Sequence, residues 1–183
     1  MYPKNARVLD VGFGRGAFLD AAATAGFEAV GVDRDRDLVE AAKKRGHRAI
    51  LGEIGQIETL LADEIFDGVM MSHIIEHLRP PETANLLSSL AAHSRPGSRL
   101  IIVTPNMSDW RVVSELFWMD TTHVRPYPAA AVRELANSHE WAWQADGYEP
   151  AILTRQTPVN WLNRARFGKD YGRTSRWYRL TRI

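Results

Sequence analysis

The chain has 183 residues, enough for one domain with a full core. Its 45% hydrophobic and 25% charged content is that of an ordinary folded protein, and no run of 18 apolar residues offers a transmembrane helix. With no cysteine, disulfides, thiolate metal sites and a cysteine nucleophile are excluded, and the net charge of +1 hides −6 over residues 1–150 and +7 over residues 151–183.

Met1-Tyr2-Pro3-Lys4 lacks the apolar core of a signal peptide, so a cytoplasmic location is expected. The apolar run Val8-Leu9 ends at Asp10, glycines follow at 12, 14 and 16, and Phe18-Leu19-Asp20-Ala21-Ala22-Ala23 is rich in helix formers. This predicts a strand over 7–11, a glycine turn and a helix over 17–25. In such a layout the backbone approaches a nucleotide-like ligand closely. Gly12-x-Gly14-x-x-Ala17 also fits the dinucleotide fingerprint, and a tight turn without a ligand is the plain structural alternative. Glu28-Ala29-Val30-Gly31-Val32 predicts a second strand ending at Asp33, whose carboxylate can accept hydrogen bonds from both hydroxyls of a ribose. Asp10 points away from a pyrophosphate, which it would repel, and toward a ligand with a positive charge, a sulfonium or an ammonium.

Further strands are expected at 47–51, 66–72 and 99–104, and helices at 36–45, 81–93 and, less regularly, 55–62. Gly26 and Gly46 follow helices, Pro80-Pro81 opens the helix at 81–93, and Pro96-Gly97 marks a turn before the fifth strand. Strands alternating with helices of this length predict an α/β fold with parallel pairing. Beyond Thr104 the rhythm changes. A long connection spans 105–126, a helix is expected over about 128–138, and Trp141-Ala142-Trp143-Gln144-Ala145 reads as a strand. Residues 148–176 read as irregular with a short helix at 159–167, and 177–183 as a closing strand. Long connections inside a compact domain are usually functional, so 105–126 and 148–176 are expected to be lid or substrate loops of a single domain. Trp110, Phe117, Trp118, Trp161 and Tyr171 lie in these segments, either to cover a substrate or to seal a loop core. Val159, Leu162 and Phe167 beside Arg164 and Arg166 hint at an interfacial helix. The basic set Arg155, Arg164, Arg166, Lys169, Arg173, Arg176, Arg179 and Arg182 suits an anionic partner, or a solvated face that pairs with the acidic body.

These motifs resemble the class I S-adenosylmethionine-dependent methyltransferases over roughly residues 6–147. The resemblance is carried by Asp10-Val11-Gly12-Phe13-Gly14-Arg15-Gly16, Gly31-Val32-Asp33, Phe66-Asp67-Gly68-Val69, His73-Ile74-Ile75-Glu76-His77-Leu78 and Thr104-Pro105-Asn106. The Glu76-His77-Leu78 run is its most specific part, and NAD enzymes do not share it. The resemblance implies a Rossmann-like three-layer sandwich of five parallel strands plus a C-terminal antiparallel hairpin. It implies S-adenosylmethionine as cofactor. Gly12, Phe13, Gly14 and Gly16 would then lie under its methionine part and Asp10 near the sulfonium end. Asp33 would hold the ribose, Arg34 would flank the adenine, and Glu53 and Ile54 would meet the adenine edge. Ser72 and His73 would stand where the methyl group is presented.

Methyl transfer to a hydroxyl requires an acceptor held in line and relieved of a proton. His73 and His123 are the candidate catalytic bases. His73, Glu76 and His77 are spaced to share one side of a helical turn, and with His123 they are candidate ligands of a divalent metal. The set is similar to the Glu-x-x-Glu-His metal motif of ubiquinone-pathway O-methyltransferases and small-RNA 2′-O-methyltransferases. His73 replaces the first Glu, which favours a softer metal than magnesium, or none; packing and helix capping are the structural alternative. The expected activity is O-methylation of a small molecule, glycan or lipid-linked intermediate, with an anionic acceptor meeting the basic tail. A cofactor-binding scaffold without catalysis and an RNA methyltransferase are the alternatives, the latter disfavoured because no nucleic-acid-binding appendage is evident. Few residues precede the first strand, so a homodimer or a partner domain is expected to help cover the site.

Overall fold

In a computed structural model, residues 5–148 and 174–183 of the chain are described. Their order is β1 (Arg7–Val11), α1 (Ala17–Thr24), β2 (Glu28–Asp33), α2 (Arg36–Lys44), β3 (Arg48–Leu51), α3 (Ile57–Leu61) and β4 (Phe66–Ser72). Then follow α4 (Pro80–Ala92), β5 (Ser94–Pro105), α5 (Trp110–Ser114), α6 (Ala129–Asn137), β6 (Trp141–Tyr148) and β7 (Ser175–Arg182). The seven strands form one sheet in the order β3-β2-β1-β4-β5-β7-β6. The first five pair in parallel, β7 runs antiparallel to β5, and β6 runs antiparallel to β7. This is the α/β sheet with a terminal antiparallel hairpin that the sequence led us to expect.

The apolar strands are continuous because both faces are covered. Side chains alternate across β1, so Val8 packs with Ala6 and Ala22 while Leu9 and Val11 enter the larger core on the other face. That larger core takes Val30, Val69, Met71, Leu100 and Ile102 from the sheet, Leu86, Leu87 and Leu90 from α4, and Trp141, Tyr178 and Leu180 from the hairpin. The strand order reverses between β1 and β4, which opens a crevice at their carboxyl ends, the usual ligand position in open α/β sheets.

Local signals set the element ends. The Asp35 carboxylate accepts from the N–H groups of Asp37 (2.8 Å) and Leu38 (3.2 Å), capping α2. Pro80 opens α4 in the first turn, and the Arg79 N–H donates to Glu82 Oε2 at 2.7 Å. Several boundaries differ from the sequence reading. β5 begins at Ser94, which pairs with Phe66 ahead of an irregularity in the ladder, so the Pro96-Gly97 turn lies inside the strand's span. β6 continues to Tyr148 and β7 starts at Ser175, because the hairpin pairs along its whole length. The connection after β5 is not a bare loop: it folds into α5 and a short 3-10 turn, Leu116–Met119. In it Phe117 is buried, whereas Trp110 and Trp118 are more than half exposed.

The expected helix at 159–167, with Val159, Trp161, Leu162, Arg164, Arg166 and Phe167, lies outside the described residues, as do Arg155, Lys169, Tyr171 and Arg173. From the described part of the basic tail, Arg176 pairs with Asp146 and Arg182 with Glu140, both acids of the acidic body. No helix among the described residues is long and apolar enough to cross a membrane.

The buried Tyr127 fastens the chain after the 3-10 turn to the start of α4. Its hydroxyl donates to the Leu78 carbonyl (3.0 Å) and meets Thr83 Oγ1 (2.8 Å). Tyr127→Phe removes the donor from the Leu78 carbonyl while Thr83 keeps its bond to the Arg79 carbonyl, and urea unfolding should show a loss of about 1–3 kcal/mol with an unchanged m-value.

Candidate active site

The turn after β1 uses left-handed backbone at Gly12 (φ 68°), Gly14 (φ 55°) and Gly16 (φ 78°). A side chain at Gly12 would be strained by the positive φ and would also have to displace the tip of the Ile74 side chain. Its N–H donates to the Val32 carbonyl at 2.8 Å, which ties the turn to β2. Above Gly14 the space is open: nothing lies within 4 Å of where its Cβ would be. The Gly14 N–H donates to Asp33 Oδ2 (2.8 Å), and the Asp35 N–H donates to Asp33 Oδ1 (2.9 Å). Asp33 is thus oriented by two backbone donors, and each oxygen keeps a further lone pair for a ligand.

Asp10 stands on β1 just before the turn and is 2% exposed. Its Oδ2 has no hydrogen-bond partner among the described residues. Burial, and then the neighbouring charge of Asp33, push its carboxyl up to about 7. A buried carboxylate with an orphaned oxygen is costly in isolation and is relieved by a cation or a donor.

The crevice holds a cavity of about 510 Å³. Gly12, Asp33, Arg34, Glu53, Ile54 and His73 line it, together with His77. Asp10 is buried and does not line it. Gly14, Gly16 and Ser72 adjoin it in the chain without lining it, and the Phe13 side chain is turned away into a core cluster with Leu19 and Val39. The sequence reading missed the far wall, made by Glu82, Asn85, Leu86 and Ser89 of α4. Their spacing puts all four on one face of a helix, the signal by which they could have been found.

At the end of β4, His73 takes a left-handed conformation (φ 56°) that is rare for a residue with a side chain. His73 precedes the 3-10 turn Ile75–His77 rather than sharing one helical turn with it, and both histidines line the cavity. Its Nδ1 lies 2.9 Å from Oε1 of the fully buried Glu76, whose Oε2 accepts from Thr104 Oγ1 at 3.0 Å. The Glu76 carbonyl accepts from the N–H groups of Val124 (2.8 Å) and Arg125 (3.2 Å). His77 Nδ1 meets Thr122 Oγ1 at 2.9 Å, and His123 Nδ1 donates to the Phe117 carbonyl at 2.6 Å. The His77 and His123 rings lie 4.8 Å apart. Of the four metal candidates, Glu76, His77 and His123 present donor atoms within 4.8 Å of one another, and His73 is not in that group.

A family described as "Methyltransferase domain" matches residues 2–149. The chain is a class I S-adenosylmethionine-dependent methyltransferase. This methyltransferase is 29% identical over 179 residues to the ubiquinone biosynthesis O-methyltransferase of Xylella fastidiosa, a match covering 86% of the chain and 72% of the relative. It is 27% identical over 179 residues to the enzyme of that name from Xanthomonas oryzae pv. oryzae, covering 86% of the chain and 74% of the relative. In fold it matches a SAM-dependent methyltransferase from Archaeoglobus fulgidus with a TM-score of 0.82 at 24% identity, covering 99% of this chain and 88% of that one. Magnesium protoporphyrin IX methyltransferase from Synechocystis with bound SAH matches with a TM-score of 0.70 at 17% identity, covering 98% and 75%.

The raised Asp10 carboxyl fixes a pH dependence of the ligand-free methyltransferase. The folded chain holds this proton more tightly than the unfolded chain, whose value is near 3.8, so stability contributed here is lost as the pH rises from about 4 to about 7. Asp10→Asn removes that loss. Urea unfolding should find the variant more stable than the parent at about pH 8 by up to a few kcal/mol, and nearly equal to it at about pH 4.

Proposed function

We propose that this methyltransferase binds S-adenosylmethionine in the crevice between β1 and β4 and methylates a hydroxyl oxygen of a small molecule. The observation that carries the placement is the buried, partnerless Asp10 Oδ2 just before an open glycine turn. The residues present fit that cofactor. Asp10 offers negative charge to its cationic end, the oriented Asp33 carboxylate offers acceptors to the ribose, and Arg34, Glu53 and Ile54 line the stretch of cavity for the adenine. Gly12, Phe13, Gly14 and Gly16 supply the backbone that passes under the methionine part, and Ser72 ends β4 beside the methyl. When bound, S-adenosylmethionine supplies a methyl group on a positively charged sulfur.

The chain's own residues do the rest. His73, on the cavity wall at the end of β4, takes the proton from the acceptor hydroxyl. His123 orders the acceptor side, holding the Phe117 carbonyl with its ring tilted against His77. Glu76, His77 and His123 are grouped closely enough to hold a divalent cation, and the proton transfer assigned here does not call on one. The relatives named ubiquinone biosynthesis O-methyltransferase support oxygen as the acceptor atom. The connection 105–126 borders the acceptor side, while most of the expected loop at 148–176 lies outside the described residues. The pairing of Arg176 and Arg182 with Asp146 and Glu140 disfavours a tail dedicated to nucleic acid.

Isothermal titration with S-adenosylhomocysteine tests the placement. The parent should bind one equivalent, and Asp33→Ala should bind at least tenfold more weakly, as expected for lost hydrogen bonds to a buried hydroxyl pair. Absence of heat with the parent overturns it. With caffeate as probe acceptor, His73→Ala should lower kcat by roughly 10²-fold or more while S-adenosylhomocysteine still binds.

A further inference from the structure

We propose that Glu76 and Thr104 are positioning residues that hold the His73 imidazole as its Nδ1–H tautomer, so that the Nε2 lone pair is the one that takes the acceptor proton. This rests on His73 as the base of the proposed reaction and names what sets its proton inventory.

The argument starts from the buried carboxyl. Glu76 is 0% exposed, and its two oxygens are used in different ways. Oε2 accepts from the Thr104 hydroxyl (3.0 Å), itself buried at the end of β5. Oε1 faces His73 Nδ1 at 2.9 Å. An ionised carboxylate accepts only, so the imidazole nitrogen facing it must carry the proton. The other ring nitrogen, Nε2, is then unprotonated. It lies on the side of Ser175 Oγ, 3.4 Å away at the start of β7.

The backbone is committed to this geometry. His73 keeps its left-handed conformation, a costly one that persists only where surrounding structure enforces it. The enforcing bonds are visible: the His73 N–H donates to the Val103 carbonyl at 2.9 Å, and the Glu76 carbonyl takes two N–H groups from Val124 and Arg125. Three chain segments therefore converge to place one imidazole against one carboxylate.

The step balances. The acceptor O–H proton passes to Nε2, and an oxygen electron pair forms the O–CH3 bond. The carbon–sulfur bond breaks with its pair retained by sulfur, which becomes a neutral thioether. The imidazolium so formed keeps Nδ1–H on the buried Glu76 carboxylate, whose charge compensates it, and later returns its extra proton to water.

The full chain, labelled with nitrogen-15 and saturated with S-adenosylhomocysteine, tests this by two-bond proton–nitrogen spectra at about pH 8, above the ordinary imidazole range. The His73 signals are those lost in His73→Gln. The parent should show a single tautomer protonated at Nδ1. In Glu76→Gln the Thr104 hydroxyl still donates to the carboxamide oxygen, which turns the amide NH2 onto Nδ1 and moves the ring to Nε2–H. Adding Thr104→Val to that variant frees the carboxamide to turn over and should return part of the Nδ1–H signal. With caffeate as probe, Glu76→Gln should lower kcat by roughly 10²-fold with KM within about threefold. Thr104→Val alone leaves the carboxylate facing Nδ1 and should keep the Nδ1–H tautomer, with a smaller loss of kcat. The inference is overturned by a parent ring protonated at Nε2, by a tautomer that Glu76→Gln does not move, or by equimolar zinc or manganese displacing His73 from Glu76. Failure of the parent to bind S-adenosylhomocysteine would instead sink the placement of the cofactor.

Discussion

Two acidic side chains at the ends of neighbouring strands set the character of this crevice. Asp33 is held by backbone donors from the glycine turn and from the approach to α2, so its charge is anchored. Asp10, one strand over and almost fully buried, lacks such support on one oxygen and feels the Asp33 charge as well. The pair is a local excess of negative potential that only a positive ligand or a bound proton removes. Everything nearby keeps that potential accessible: glycines without side chains, an open space above Gly14, and Ile74 folded against Gly12.

The fold was legible because the chain announces its alternation. Apolar runs of strand length, glycines after helices and prolines at a helix start gave the first five strands within a few residues. The hairpin was placed correctly but too short, since residues such as Asp146, Gly147, Ser175 and Arg176 do not read as strand. Their backbone pairing is decided by the partner strand, which no local pattern shows. The same holds for α5 and the following 3-10 turn, which consist of a single turn each and lack the periodicity that marks longer helices.

The site was legible where chemistry is local in sequence. The glycine turn, Asp10, Asp33 and the His73–His77 run each carry their meaning in a few residues, and Gly12, Asp33, Arg34, Glu53, Ile54 and His73 do meet around one cavity. Contacts across long separations were not legible. Thr104 reaching Glu76, Ser175 near His73, and Thr122 on His77 join residues 28 to 102 positions apart, and only the three-dimensional packing selects them. His73 also shows how spacing misleads: a residue at i and another at i+3 met as expected, but through a left-handed residue rather than a helical turn.

The elevated Asp10 carboxyl has a consequence for occupancy. A cation settling beside it favours the ionised form and expels the proton that the empty site retains near neutrality. By linkage, proton release and ligand uptake are then one equilibrium, and affinity for the charged ligand climbs as the solution becomes more alkaline across that range. In the proposed binding mode the crevice would exchange one positive charge for another, with the ambient proton concentration competing against the methyl donor for the same buried oxygen.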